Sequence, residues 1–290
     1  MWVIYALLSA FFVAASDPIA KKALGQSGDE YVMGLANFLF SLPFLAVLFF
    51  SYKAAPLSPG LIKTLLAVIP FEILAAVLYY RALKLTDISL SVPFLALTPL
   101  FVLITGPALL GEHIRPAGVA GIMLITVGAY SLNLKDAKTG FTHPVKAIFR
   151  NKGSLYMVIV ALIFSITAAM SKKAMLFSNP GSIPFLYNMS VALAMLPLVL
   201  YRIISGRSRI NSGPNALLVY CIMGLLTALS SIFYFKSIAL ANVAYAVSIK
   251  RISLLMSVGY GWIFFKERDI HIRFASTFCM FLGVVLIATA

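Results

Sequence analysis

Ten apolar runs of bilayer length, joined by links too short to hold a soluble domain, constrain this chain more than any other feature. A membrane-spanning helix needs about 20 mostly apolar residues. Turn and charge punctuation places the runs at 2–22, 31–52, 62–84, 88–110, 116–134, 154–175, 183–204, 214–237, 241–265 and 271–289. Backbone polar groups in hydrocarbon must be paired within the segment itself, so runs of this length are read as helices. Composition agrees, with 61% hydrophobic and 11% charged residues against about 45–50% and about 25% in a soluble domain. The expected fold class is an all-α integral membrane protein with ten transmembrane helices.

One link is longer than the others. The basic, polar stretch 135–153, KDAKTGFTHPVKAIFRNKG, divides the runs into five (residues 1–134) and five (154–290). The halves repeat each other. SAFFVAASDPIAKKAL at 9–24 aligns with VALIFSITAAMSKKAM at 160–175, an offset of 151 that also brings Asn37 onto Asn188. YYRALKLTDISLSV at 79–92 aligns with YFKSIALANVAYAV at 234–247 at an offset of 155, which continues through Gly111-Glu112 against Lys266-Glu267. An odd number of spans per half makes the second half enter the membrane from the opposite side. Inverted repeats of this kind hold a substrate site near the midplane, at the interface between them, and alternate its access by rocking.

The net charge of +14 would point to nucleic acid in a soluble protein. Here the basic residues gather at span ends, where they orient helices and meet anionic lipid headgroups, so membrane lipids are the expected partner and nucleic acid is not. Loops with a Lys/Arg excess stay cytoplasmic. The central loop is therefore expected in the cytoplasm, with both termini on the other side. No cleavable signal peptide is evident at the start, WVIYALLSAFFVAAS. Cys221 and Cys279 fall inside spans, and neither a disulfide framework nor a metal-ligand spacing is present. No zinc-protease, nucleophile-elbow or phosphate-loop motif appears, so neither an enzyme, a metal nor a cofactor is expected.

The order of ten spans, the five-plus-five repeat and the Gly-Glu or Lys-Glu closing the fourth and ninth spans resemble the drug/metabolite transporter superfamily. SVPFLALTPLFVLITGPALLGE at 91–112 is similar to the EamA domain of bacterial metabolite exporters. The resemblance covers the whole chain and implies a multi-pass protein of the cell membrane, the bacterial inner membrane in the first instance. It also implies a secondary transporter whose cavity is lined by spans one to four and six to nine. SIKRIS at 248–253 is similar to the Lys-Arg signature of triose-phosphate and nucleotide-sugar transporters, where the pair binds substrate phosphate. The rest of the chain departs from those branches: span four holds no matching basic residue, and there is no plastid transit peptide. The resemblance implies an anionic substrate without specifying a phosphosugar.

Lys250 and Arg251 lie in the middle of span nine. A basic side chain at the bilayer centre costs about 2.5–3.5 kcal/mol on insertion scales, and the equivalents in the first half are Leu95 and Ala96. Arg offers a bidentate fork and Lys a compact point charge for an anion, although neighbouring helical positions point about 100° apart and one of the two is expected to face the cavity more fully. The competing reading is a structural ion pair. Glu72, halfway along span three, is the expected partner, with proton carriage, or a lone carboxylate turned toward an interfacial water, as the alternatives. Ser253 and Ser257 follow Lys250 on the same helix face, with Thr98 opposite them on span four. Pro93, Pro99 and Pro107 should kink that span. Asn37 and Asn188 serve either as cavity lining or as interhelical packing contacts. Tyr79, Tyr80, Tyr234 and Phe235 compete between the cavity and an aromatic belt, with Tyr79 and Tyr234 the cavity candidates. Asp17 reads as a local i,i+4 pair with Lys21.

Together these residues predict a secondary transporter of a small organic anion, phosphorylated or carboxylated, working as a monomer or homodimer with proton or counter-substrate coupling. The alternatives are an exporter of amino acids or neutral and aromatic metabolites, and a flippase for a lipid-linked phosphate.

Overall fold

A computed structural model describes residues 1–25, 28–52, 56–86, 91–131, 152–210, 215–256 and 270–289. Each of the ten predicted spans contains helix. Span one is Trp2–Gly25, span three Pro59–Leu85, span five Pro116–Ser131, span six Lys152–Leu176, span seven Ile183–Ile204, span eight Ala216–Leu240 and span ten Ile270–Thr289. Among the described residues six helical stretches are long and apolar enough to cross a bilayer, Glu30–Ser51 being counted across its break, and shorter apolar helices accompany them. Most of the central loop, together with Ser257, Lys266, Glu267 and Arg268, lies outside the described residues.

Three spans are broken. Span two divides into Glu30–Leu39 and Leu42–Ser51, with Pro43 in the first turn of the second piece; proline is tolerated there because that N–H has no intrahelical partner anyway. Span four opens as a 3-10 segment, Val92–Leu97, and continues as the α-helix Thr98–Leu110. Pro93 and Pro99 each remove a backbone donor at this junction. Span nine runs as α-helix from Val243 to Lys250, turns at Arg251 and Ile252 and is helical again over 253–256; Arg251, Ile252, Leu254 and Leu255 donate to carbonyls three residues back. The break falls at the repeat equivalent of the span-four junction, although SIKRIS contains no proline.

The packing obeys the repeat. Span one lies against span eight and span six against span three; span four meets span six as span nine meets span one, and spans five and ten pair with each other. Each of these contacts between halves thus has its mirror image. Small residues allow the closest approaches, as expected where lipid competes equally for apolar surface. Ser9 and Ser230 hydroxyls bond at 3.0 Å between spans one and eight, and Ser237 donates to the Trp2 carbonyl. Gly121 and Gly283 let spans five and ten touch backbone to backbone: a Cβ on Gly121 would stand 2.7 Å from the Gly283 carbonyl oxygen. The outer face carries fully apolar side chains such as Phe50, Leu66 and Ile104, a lipid-facing surface of a kind soluble monomers rarely show.

Candidate functional site

A cavity of about 260 Å³ opens between the halves, lined from spans one to four and six to nine. Its walls follow the pseudo-twofold. Ser16 and Thr167, Asn37 and Asn188, Ala76 and Ser231, Tyr79 and Tyr234, Tyr80 and Phe235, and Val92 and Val247 are repeat-related pairs in which both members line it. The charges break that symmetry. Asp17 and Glu72 come from the first half, where the second has Ala168 and Thr227; Lys250 and Arg251 come from the second, where the first has Leu95 and Ala96. The cavity therefore has an acidic wall and a basic wall, each supplied by one repeat.

The break in span nine positions the basic pair. Both side chains line the cavity, Lys250 half-buried and Arg251 8% exposed. The expectation that only one would face it assumed an unbroken helix, and the tightened turn after Lys250 removes that restriction. Lys250 ends the α-helix, so the partial negative charge at the helix C-terminus stabilises both cations. Nζ of Lys250 sits 4.5 Å from the Tyr234 ring centroid, and Cζ of Arg251 5.9 Å from that of Phe164. Arg251 Nη2 donates to Thr98 Oγ1 at 2.8 Å, while its buried Nε has no hydrogen-bond partner among the described residues.

The acids are bonded to tyrosines. Tyr187 donates to Glu72 Oε1 at 2.6 Å, and Tyr79 to Asp17 Oδ1 at 2.5 Å. The ion pairs among the described residues are Lys84–Glu30, Lys172–Glu112 and Arg202–Asp29. The expected contact pair between Glu72 and Lys250 or Arg251 is therefore not made. Attraction still acts across the gap, between Glu72 and Lys250 and between Asp17 and both cations.

Other expectations are corrected too. Lys21 does not pair with Asp17 on its own helix. It reaches across to the carbonyls of Leu83, at 2.7 Å, and Thr86, leaving Asp17 buried toward the cavity. Its repeat equivalent Lys172 likewise binds the carbonyl of Ala241, the equivalent of Thr86. Tyr79, Tyr80, Tyr234 and Phe235 line the cavity instead of forming a belt. Asn37 and Asn188 combine both roles: they line the cavity and also bond Thr227 (2.6 Å) and Ser231 (3.4 Å) of span eight. Ser253 lines the cavity, and Thr98 is fully buried behind it, holding Arg251. Ser257 lies outside the described residues.

Sequence reasoning passed over Tyr187, Thr167 and Phe164 among the cavity residues, and it read Asp17 as a local pair instead of a site residue. For Asp17 the signal was present: its counterpart is Ala168, the same one-sided charge that marked Lys250 and Arg251. Glu112, which closes span four, forms a junction there. Its carboxylate meets Lys172 Nζ at 2.7 Å and accepts from the Val243 N–H at 2.9 Å, capping the helix of span nine.

Two broken helices that meet beside a central cavity with charged walls, inside two interlocked five-span halves, define a class: a multi-pass membrane protein built around a central cavity. The sequence matches the EamA-like transporter family over residues 1–134 and 151–289. The chain belongs to that family, within the drug/metabolite transporter superfamily, and is a membrane transporter of small molecules. Its fold is similar to that of a solved crystal structure described only as a protein, with a TM-score of 0.72 at 14% identity over 99% of this chain and 95% of the other. No curated protein sequence matches it.

Proposed function

We propose that this protein is a secondary transporter of a small organic acid, moving it by alternating access and docking its anionic group on Lys250 and Arg251. The supporting observation is the basic pair itself. It stands at a helix break on the cavity wall, braced by Thr98, Phe164 and Tyr234 with no carboxylate in ion-pair contact among the described residues. A structural ion pair would have consumed the charge. Instead the guanidinium keeps a buried, unpartnered Nε, and a carboxylate or phosphate oxygen is its natural acceptor. The tyrosine and phenylalanine walls favour a substrate with an apolar or aromatic body.

The test is a thermal-shift screen of purified protein against carboxylates, phosphate esters and amino acids. A ligand that binds only the folded state raises the melting point by mass action. Acidic ligands should stabilise the wild type, and the shift should disappear in Lys250→Ala and Arg251→Ala. Hits that survive both substitutions would refute the reading.

A further inference from the structure

We propose that Glu72 is a subsite for one compensating positive charge, so that a monovalent organic anion crosses together with a cation and moves no net charge. The proposal rests on the anion docking at Lys250 and Arg251, and extends it to the opposite wall. The cavity holds two carboxylates and two cations. An anion placed on the basic pair leaves the site one negative charge in excess, in a volume walled largely by apolar and aromatic side chains. Such an excess is costly away from water, and a second positive charge removes it.

Glu72 is the carboxylate placed to take that charge. It is half-buried and cavity-facing, whereas Asp17 is 6% exposed and interacts with both Arg251 and Lys250. Its bond to Tyr187 joins span three to span seven, across the interface between the repeats, while the Asp17–Tyr79 bond stays within one repeat. Rocking of one repeat against the other must strain or break the first bond and can leave the second intact. Occupancy of Glu72 is thus coupled to access. The groups that interact with it are Tyr187 on span seven, Thr167 on span six, Lys250 on span nine and Tyr234 on span eight, and Arg251 and Asp17 line the same cavity.

The compensating charge has two sources of the same chemistry: an ammonium carried by the substrate itself, or a proton taken from water on the entry side and released on the exit side. The proton forms one O–H bond on Glu72 and nothing else changes. Two probes separate the sources, phenylalanine and its deamino analogue 3-phenylpropanoate, which share a carboxylate and an aromatic body.

The experiment uses full-length protein in liposomes, with the membrane potential set by a potassium gradient and an internal dye reporting protons. In the wild type, entry of 3-phenylpropanoate should bring one proton, entry of phenylalanine none, and neither flux should respond to potential. In Glu72→Gln, 3-phenylpropanoate entry should lose its proton and become several-fold sensitive to a potential of about 100 mV; Glu72→Asp should restore the neutral behaviour. Proton-free, potential-sensitive entry of 3-phenylpropanoate in the wild type overturns the proposal without recourse to any variant. If neither probe binds the wild type, or both bind Lys250→Ala unchanged, the anion site fails first and this subsite with it.

Discussion

The Glu112–Lys172 contact offers the sharpest test of how the ends of spans four, six and nine are held together, because its energetics can be worked out without knowing the substrate. Both side chains are largely shielded from solvent, 10% and 12% exposed, with oxygen and nitrogen 2.7 Å apart. Each also has a backbone partner: Lys172 donates to the Ala241 carbonyl at 2.6 Å, and Glu112 accepts from the Val243 N–H at 2.9 Å. Removing one member of a buried pair strands the other, at a cost of about 3–5 kcal/mol; removing both with apolar replacements of similar volume is often nearly neutral. Lys172→Met should therefore destabilise by about 3 kcal/mol, offset in part by the Val243 N–H that still holds the carboxylate. Glu112→Gln should cost about 2–3 kcal/mol, since glutamine keeps an acceptor for that N–H but leaves the ammonium on a single carbonyl. The double variant should lose clearly less than the sum, with a coupling of about 2 kcal/mol. Equilibrium unfolding in mixed micelles, run as a double-mutant cycle, measures this directly. Losses that add to within about 0.5 kcal/mol would show the two residues to be energetically independent and refute the reasoning.

Replacing Gly224 by alanine should destabilise by about 1–3 kcal/mol in the same assay, because a Cβ there would stand 2.4 Å from the Phe40 backbone at the break in span two; wild-type stability would mean that the close approach relaxes freely. Asp29→Ala should cost at least about 1 kcal/mol, since this N-cap accepts from the N–H groups of Tyr31 and Val32 and also meets Ser208 and Arg202, and Asp29→Asn should recover most of the capping share. Thr98→Val should weaken binding of acidic ligands about fivefold to tenfold by freeing the Arg251 guanidinium, worth about 1 kcal/mol, with little change in stability; unchanged affinity would assign Thr98 to packing alone. A C-terminal fluorescent reporter that matures only in the cytoplasm should stay dark, because the basic central loop and the termini are expected on opposite sides of the membrane; a bright reporter reverses that orientation.

Hydrophobic length, the internal repeat and the one-sided placement of charge were legible in the chain alone. These are one-dimensional properties: a bilayer converts run length into spans, and an odd number of spans per repeat converts duplication into inversion. Lys250, Arg251 and Glu72 stood out for the same reason, since a charge in the middle of an apolar run and absent from its repeat partner is visible without coordinates. The partners of those charges were not legible. Glu72 turned to Tyr187, 115 positions away, Asp17 to Tyr79 and Lys21 to the end of span three, because side-chain bonding is decided by which helices become neighbours, and sequence spacing offers only the i,i+4 neighbour on the same helix. The break in span nine was hidden for a related reason. Span four announces its own break with Pro93 and Pro99, whereas SIKRIS carries no such residue, and its tightened turn emerges only where the chain packs against spans one, four and six around the cavity.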